Sequence, residues 1–324
     1  MRILPGSAAL LLALAASLRA QDPDKLAQAI RGEEIRKHQV YLSSDALQGR
    51  EAGSEGGHKA ALYIVEQAKK RGLKPGGVEG TYYQPFGPSP GKPLEKGMKN
   101  IVAVWPGTDA KLKDEFVVAG AHYDHVGLGL KGSNKQAGGK AGEIHNGADD
   151  NASGTSTLLE IAGVVGKSRF KRTIVLMWFD AEESSLAGSK AWVAAPTLPI
   201  EKCAAMVNCD MIGRNDVKQV IVGLHKDEQG EPKFPKWEEA VKAVETKFGA
   251  VFDWSSFDSF IKRSDHWPFM EKGVPAVFFT GGLHADYHTQ NDDVEKINFP
   301  KEELVGRMIF TLAARAANAD GSFR

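Results

Sequence analysis

Carboxylates and imidazoles recur in this chain directly behind apolar runs. His122-Tyr-Asp124-His125 follows the run at 116–121, Asp180-Ala-Glu182-Glu183 follows 173–179, and Asp210 follows 204–209. Two further segments carry the same residue types, Gly147-Ala-Asp149-Asp150-Asn-Ala-Ser-Gly154 and Tyr287-His288-Thr-Gln-Asn-Asp292-Asp293. Side chains of these kinds bind divalent metals and move protons, which are the two requirements of metal-assisted hydrolysis.

Each segment alone has an ordinary explanation. Adjacent Glu182 and Glu183 favour a helix start, Asp149 and Asp150 can cap a helix, and a lone histidine is usually a polar surface residue. Their shared position behind apolar runs argues differently. A charge partly withdrawn from water costs several kcal/mol unless a counter-ion is supplied, and metal ions supply one.

The elements that must position these groups follow from periodicity. Apolar runs at 101–105, 116–121, 173–179, 204–209, 217–222 and 276–279 predict strands. Helical patterns cover 24–42, 56–71, 152–166, 185–194, 237–248, 265–272 and 301–317. From residue 100 onward strands and helices alternate, which predicts an α/β fold: a three-layer α/β/α sandwich around a central mixed, mainly parallel sheet. Such sheets bind ligands beyond the carboxyl ends of their strands, where these carboxylates and imidazoles begin.

With 324 residues, 42% hydrophobic and 25% charged, the chain is long enough to bury the core of one large domain. Its 41 basic and 41 acidic residues cancel, so there is no basic field for nucleic acid and no polybasic stretch for an anionic membrane. A small or peptide substrate fits better. Arg2, the apolar run at 8–18 and then Arg19-Ala20-Gln21 read as an export signal over 1–20, too short to span a bilayer. The expected location is therefore secreted, periplasmic or cell envelope. Cys203 and Cys209 share one extended stretch whose length, about 20 Å, forbids a disulfide, so they read as separate buried thiols. The Gly- and Pro-rich stretch 87–97 and the Gly- and Lys-rich stretch 127–147 read as surface loops.

The ordered set Ala121-His-Tyr-Asp-His-Val-Gly127, Gly147 to Gly154 as quoted above, Asp180-Ala-Glu-Glu183, Asn208-Cys-Asp-Met-Ile-Gly-Arg214, Ser264-Asp-His266 and Tyr287-His-Thr289 resembles the di-zinc exopeptidases of metallopeptidase family twenty-eight. The resemblance extends upstream into Leu42-Ser-Ser-Asp-Ala-Leu-Gln-Gly-Arg50 and Gly53-Ser-Glu-Gly56. It implies one catalytic domain over 21–324, with no inserted protease-associated domain because the stretch between Phe86 and Ile101 is short.

Carried over by position, the resemblance makes His122 and Asp210 ligands of one zinc ion and Glu183 and His288 ligands of a second. Asp149 bridges the two, with a cis peptide bond between Asp149 and Asp150. Three ligand carboxylates and one bridging hydroxide then balance two divalent cations. Glu182 becomes the general base acting on a metal-bridging water. Tyr287 hydrogen-bonds the oxyanion, and Asp124 orients His122 through its other ring nitrogen. No role is evident for His125. The segment Ser264-Asp-His-Trp-Pro-Phe269 and Phe278-Phe279 read equally as pocket wall or as core.

Peptides with a free N-terminus are the implied substrates. The same resemblance leaves a carboxypeptidase, a glutaminyl-cyclase-like acyltransferase and a non-catalytic receptor-like module as alternatives. Imidazoles among carboxylates suit zinc, with cobalt or manganese able to fill the same shell and calcium disfavoured.

Overall fold

The computed structural model describes residues 22–87 and 97–324. The expected export signal over 1–20, and most of the stretch 87–97, lie outside the described residues.

Nine strands form one sheet: β1 Lys74–Pro75, β2 Tyr83–Pro85, β3 Lys99–Trp105, β4 Phe116–His122, β5 Thr173–Phe179, β6 Cys203–Cys209, β7 Gln219–Leu224, β8 Val251–Asp253 and β9 Ala276–Thr280. Their order is β1-β3-β5-β4-β6-β9-β7-β8, with β2 also paired to β3. The centre, β5-β4-β6-β9, is parallel, whereas β3 and β7 run antiparallel to their inner neighbours. Parallel strands are covered on both faces and therefore read as unbroken apolar runs. All seven residues of β4 and of β6 are buried accordingly.

The helices are α1 Pro23–Ala27, α2 Gly32–Leu42, α3 Glu55–Lys70, α4 Gly154–Val165, α5 Ala187–Ala194, α6 Pro235–Phe248, α7 His266–Glu271 and α8 Phe299–Asn318. Side chains alternate across the sheet. Val117, Ala119 and Ala121 of β4 join the core under α2, α3, α4, α6 and α8, while Phe116 and Val118 face Trp192 of α5 and Phe269 of α7. The α/β expectation of a mixed sheet between two helical layers holds.

Most boundaries move by one or two residues from the periodic pattern, and two of the shifts have clear local reasons. The helix expected over 24–42 is broken between α1 and α2. A Cβ on Gly32 would lie 2.8 Å from the carbonyl oxygen of Phe299, and its N–H donates to Glu303 at 2.8 Å, so the start of α2 is docked on α8. The strand expected at 217–222 begins at Gln219, because Asp216 Oδ1 accepts from the N–H groups of Lys218 (2.9 Å) and Gln219 (3.3 Å) and turns the chain first. Cys203 and Cys209 are both free and buried, and burial pushes the Cys203 thiol up to about 12.

Candidate metal centre

Strand register delivers the first pair of groups. Gly120 of β4 pairs with Asn208 of β6, so two residues further on His122 and Asp210 leave the sheet side by side. His122 Nε2 lies 3.2 Å from Asp210 Oδ1, and the His122 carbonyl accepts from Thr155 Oγ1 at 2.7 Å, which ties the strand end to α4. Asp124 is fully buried and has three neighbours. Its Oδ1 lies 3.5 Å from His122 Nδ1 and accepts from the Glu182 N–H at 3.0 Å, and its Oδ2 accepts from the Glu183 N–H at 3.4 Å. The His122 Nδ1 hydrogen bond goes to the Asp124 backbone carbonyl at 3.2 Å, so Asp124 sets the imidazole through its main chain and the turn that carries the two glutamates through its carboxylate.

That turn, like two others at the site, uses a left-handed residue other than glycine. Ala181, Met211 and His288 all have φ of 56°. Such a conformation costs roughly 1 kcal/mol or more and persists where surrounding contacts impose it. Here Ala181 precedes Glu182, Met211 follows Asp210, and His288 is itself a site residue.

The adjacent aspartates part company, and the structure corrects the expectation for Asp149. Gly147 has φ of 56°, and a Cβ there would meet the Asp150 carbonyl oxygen at 2.2 Å, so only glycine permits this approach. The N–H of Ala148 donates to the Asp292 carbonyl at 2.9 Å, and those of Asp149 and Asp150 donate to its buried carboxylate at 3.0 and 3.1 Å. The Asp149 carboxylate then turns away: Oδ1 accepts from the Gly213 N–H at 2.6 Å, and Oδ2 lies 3.3 Å from His284 Nε2. Asp150 takes the place expected of Asp149, with Oδ1 3.3 Å from His122 Nε2 and Oδ2 3.0 Å from His288 Nε2. The cis peptide bond also lies one residue later than expected, between Asp150 and Asn151. The physical reason for the exchange of carboxylates is that long-range partners occupy Asp149 and leave Asp150 for His122 and His288.

Among the described residues two groups of potential ligands result, His125, Asp150, Glu183 and His288 in one and His122, Glu182 and Asp210 in the other, with donor atoms inside each within 4.8 Å of one another. In the first, His288 Nε2 lies 3.1 Å from Glu183 Oε2 and His125 Nδ1 lies 3.0 Å from Glu183 Oε1. His125, given no role from sequence, is thus part of the site; the available signal was an imidazole three residues beyond His122. The buried Nε2 of His288 lies among the Asp150 and Glu183 oxygens without a well-formed hydrogen bond, and imidazole nitrogens among carboxylate oxygens are the donors zinc takes. The residues present therefore fit a divalent transition metal.

Electrostatics agree. Burial opposes charge on His288, yet Glu183 and Asp150 raise its pKa to about 11, and Asp210 and Glu182 likewise raise His122 well above the usual imidazole range against its burial. Burial disfavours an Asp150 carboxylate, but His122 and His288 hold it well below the usual range. The carboxylates thus favour the charged form of both imidazoles, and a cation bound among them would compete with those protons.

His288 is fixed from a loop. The Gly132 carbonyl accepts from its Nδ1 at 2.8 Å, and the N–H of Asn134 donates to its backbone carbonyl at 2.8 Å, so the stretch read as a surface loop scaffolds the site. Arg50, also unassigned from sequence, is buried and donates to the carbonyls of Tyr123 (3.0 Å), Leu42 (2.6 Å), Asn146 (2.6 Å) and Gly147 (3.0 Å). It joins the end of β4 to the turn before Asp150.

A cleft opens beside the two groups and is lined by Asp150, Glu182, Asp210 and Tyr287. The Tyr287 ring stacks on His288 with centroids 3.9 Å apart. Of the segments read as wall or core, Phe278 lines the cleft, whereas Phe269 and Phe279 are fully buried in the two cores.

A mixed sheet that gathers these donors at its carboxyl edge defines the fold of zinc-dependent exopeptidases. One from Parabacteroides distasonis superposes with a TM-score of 0.67 at 18% identity, over 88% of this chain and 98% of that one. The sequence pattern of Peptidase family M28 matches residues 100–313, and the chain belongs to that family. It is similar to leucine aminopeptidase 1 of Pyrenophora teres f. teres, 27% identical over 289 residues, which is 82% of this chain and 66% of that protein's length. It is also similar in fold to the glutaminyl cyclase of Porphyromonas gingivalis, with a TM-score of 0.65 at 19% identity over 87% of this chain and 97% of that one. The fold therefore does not by itself select the reaction. Among the described residues no helix is long and apolar enough to cross a membrane.

Proposed function

We propose that this chain is an exported aminopeptidase that hydrolyses the first peptide bond of peptides with a free N-terminus. In this reading residues 21–324 form one catalytic domain, and 1–20 are removed on export. Two zinc ions would be held by the chain's own side chains, one by His122 and Asp210 and the other by Glu183 and His288, with Asp150 available to both. The observation that carries the reading is the placement of Asp150, whose two oxygens face different histidines at 3.3 and 3.0 Å. A carboxylate so placed can serve two cations at once. Bound there, paired zinc ions would polarise the scissile carbonyl and acidify a water.

The chain's own residues supply the rest. Glu182 stands beside His122 and Asp210 at the cleft, and burial pushes its pKa well above the ordinary carboxyl range, which suits a group that takes a proton and returns it to the leaving amine. The Tyr287 hydroxyl, in the same cleft, is able to donate to the developing oxyanion. Asp124 acts through other residues, orienting His122 and the backbone of both glutamates, and His125 orients Glu183.

The purified chain should release anilide from free aminoacyl anilides, lose that activity in chelator and regain it with added zinc. Equal release from N-acetylated anilides would remove the aminopeptidase reading. Full activity in chelator would remove the metal.

A further inference from the structure

The cleft carries charges of both signs. Its lining combines the acceptors Asp150, Glu182 and Asp210, the donors Arg263 and Thr280, and apolar surface from Phe260, Phe278, Leu283 and Met211. The Arg263 guanidinium touches Tyr287 Oη at 3.4 Å and lies 5.5 and 5.9 Å from the ring centres of Phe260 and Tyr287. Among the described residues no carboxylate is within ion-pairing reach of it. Thr280 Oγ1 accepts from the Gly282 N–H at 3.2 Å, which leaves the hydroxyl proton without a described acceptor.

We propose that Arg263, assisted by Thr280, forms a subsite for a carboxylate of the substrate. The inference rests on the aminopeptidase reading and narrows it to substrates that carry an anionic group near the scissile bond. A planar guanidinium beside two aromatic rings and lacking a protein carboxylate matches a ligand carboxylate through paired N–H donors. The apolar wall accommodates the methylene groups that separate such a carboxylate from the reacting carbonyl. Two sources share this chemistry, an aspartyl or glutamyl first residue and the C-terminal carboxylate of a dipeptide.

The test uses the zinc-loaded full chain and two matched pairs, glutamyl against glutaminyl p-nitroanilide and leucylglycine against its C-terminal amide. In at least one pair the acid should be preferred in kcat/KM by about tenfold or more, as expected for a charge-assisted hydrogen bond. Arg263→Gln should bring that ratio to near unity, and Arg263→Lys should restore part of it. A preference confined to the anilides assigns the first side chain, and one confined to the dipeptide assigns the terminal carboxylate. Absence of any preference, or a preference that survives Arg263→Gln, overturns the subsite. Calorimetric binding of L-glutamate against L-glutamine separates the two levels of inference. Turnover of no substrate would overturn the aminopeptidase reading, whereas a glutamate preference abolished by Arg263→Gln would still support the subsite.

Discussion

Glu182 and Glu183 share one turn but face different partners. Glu183 lies within 3.1 Å of two imidazoles, while Glu182 lines the cleft beside Asp210. Exchanging Glu182 for Gln keeps its shape and removes its basicity. The E182Q protein should retain its zinc, measured by elemental analysis, while kcat falls by about 10² to 10⁴; normal turnover would exclude the proton-shuttle role. Protons also set metal uptake. The metal-free His288 pKa of about 11 lies above the unfolded value near 6.5, so its pairing stabilises the metal-free fold fully below about pH 6.5 and fades as pH rises through 11. Asp150, lowered, contributes in the opposite sense: its stabilisation is present above an unfolded value near 4 and is lost on further acidification. Between these limits zinc must displace imidazolium protons. Apparent zinc affinity should therefore rise with pH, and calorimetry in two buffers of different ionisation enthalpy should register proton release on binding. Uptake without protons would contradict the charged state assigned to His122 and His288.

At the scale of elements, the site depends on how strand ends are joined to loops. Arg50 connects the carbonyl of Tyr123, just past β4, to those of Asn146 and Gly147, just before Asp150. Its removal would leave buried carbonyl oxygens without donors, each a loss of about 1 kcal/mol or more. Arg50→Met should destabilise the protein by about 2–4 kcal/mol in urea denaturation. It should also lower zinc affinity, because the turn carrying Asp150 loses its anchor. Stability within about 0.5 kcal/mol of the parent, the usual span for surface changes, would show that water replaces the guanidinium without penalty.

For the whole molecule, the proposed ligands come from the ends of three parallel strands and from two loops distant in sequence, so they meet only when the chain is folded. A ligand that binds the folded state alone stabilises it by about 2.7 kcal/mol per site at free concentrations of 100 times Kd. Chelation should therefore lower Tm in scanning calorimetry as well as abolish turnover, and zinc should restore both. An unchanged Tm would sink the idea that the site is coupled to the fold.

Much of this arrangement was legible before folding was considered. Apolar runs located the central strands, with β5 matching its expected limits, because a strand buried on both faces cannot hide its composition. The carboxylates and imidazoles behind those runs marked the edge where they would gather, since a parallel sheet sends all its strand ends the same way. Tertiary structure alone decided between neighbours of identical chemistry. Asp149 and Asp150 are indistinguishable by type, and which one faces the histidines depends on Gly213, His284 and Asp292, partners far along the chain that capture Asp149 or hold its turn. The roles of His125 and Arg50 depend on the same kind of contact, with Glu183 for one and with the carbonyls of Tyr123, Asn146 and Gly147 for the other. Residue type and spacing declare which chemistry is available, but the direction of a side chain is set by contacts that exist only once distant segments have packed.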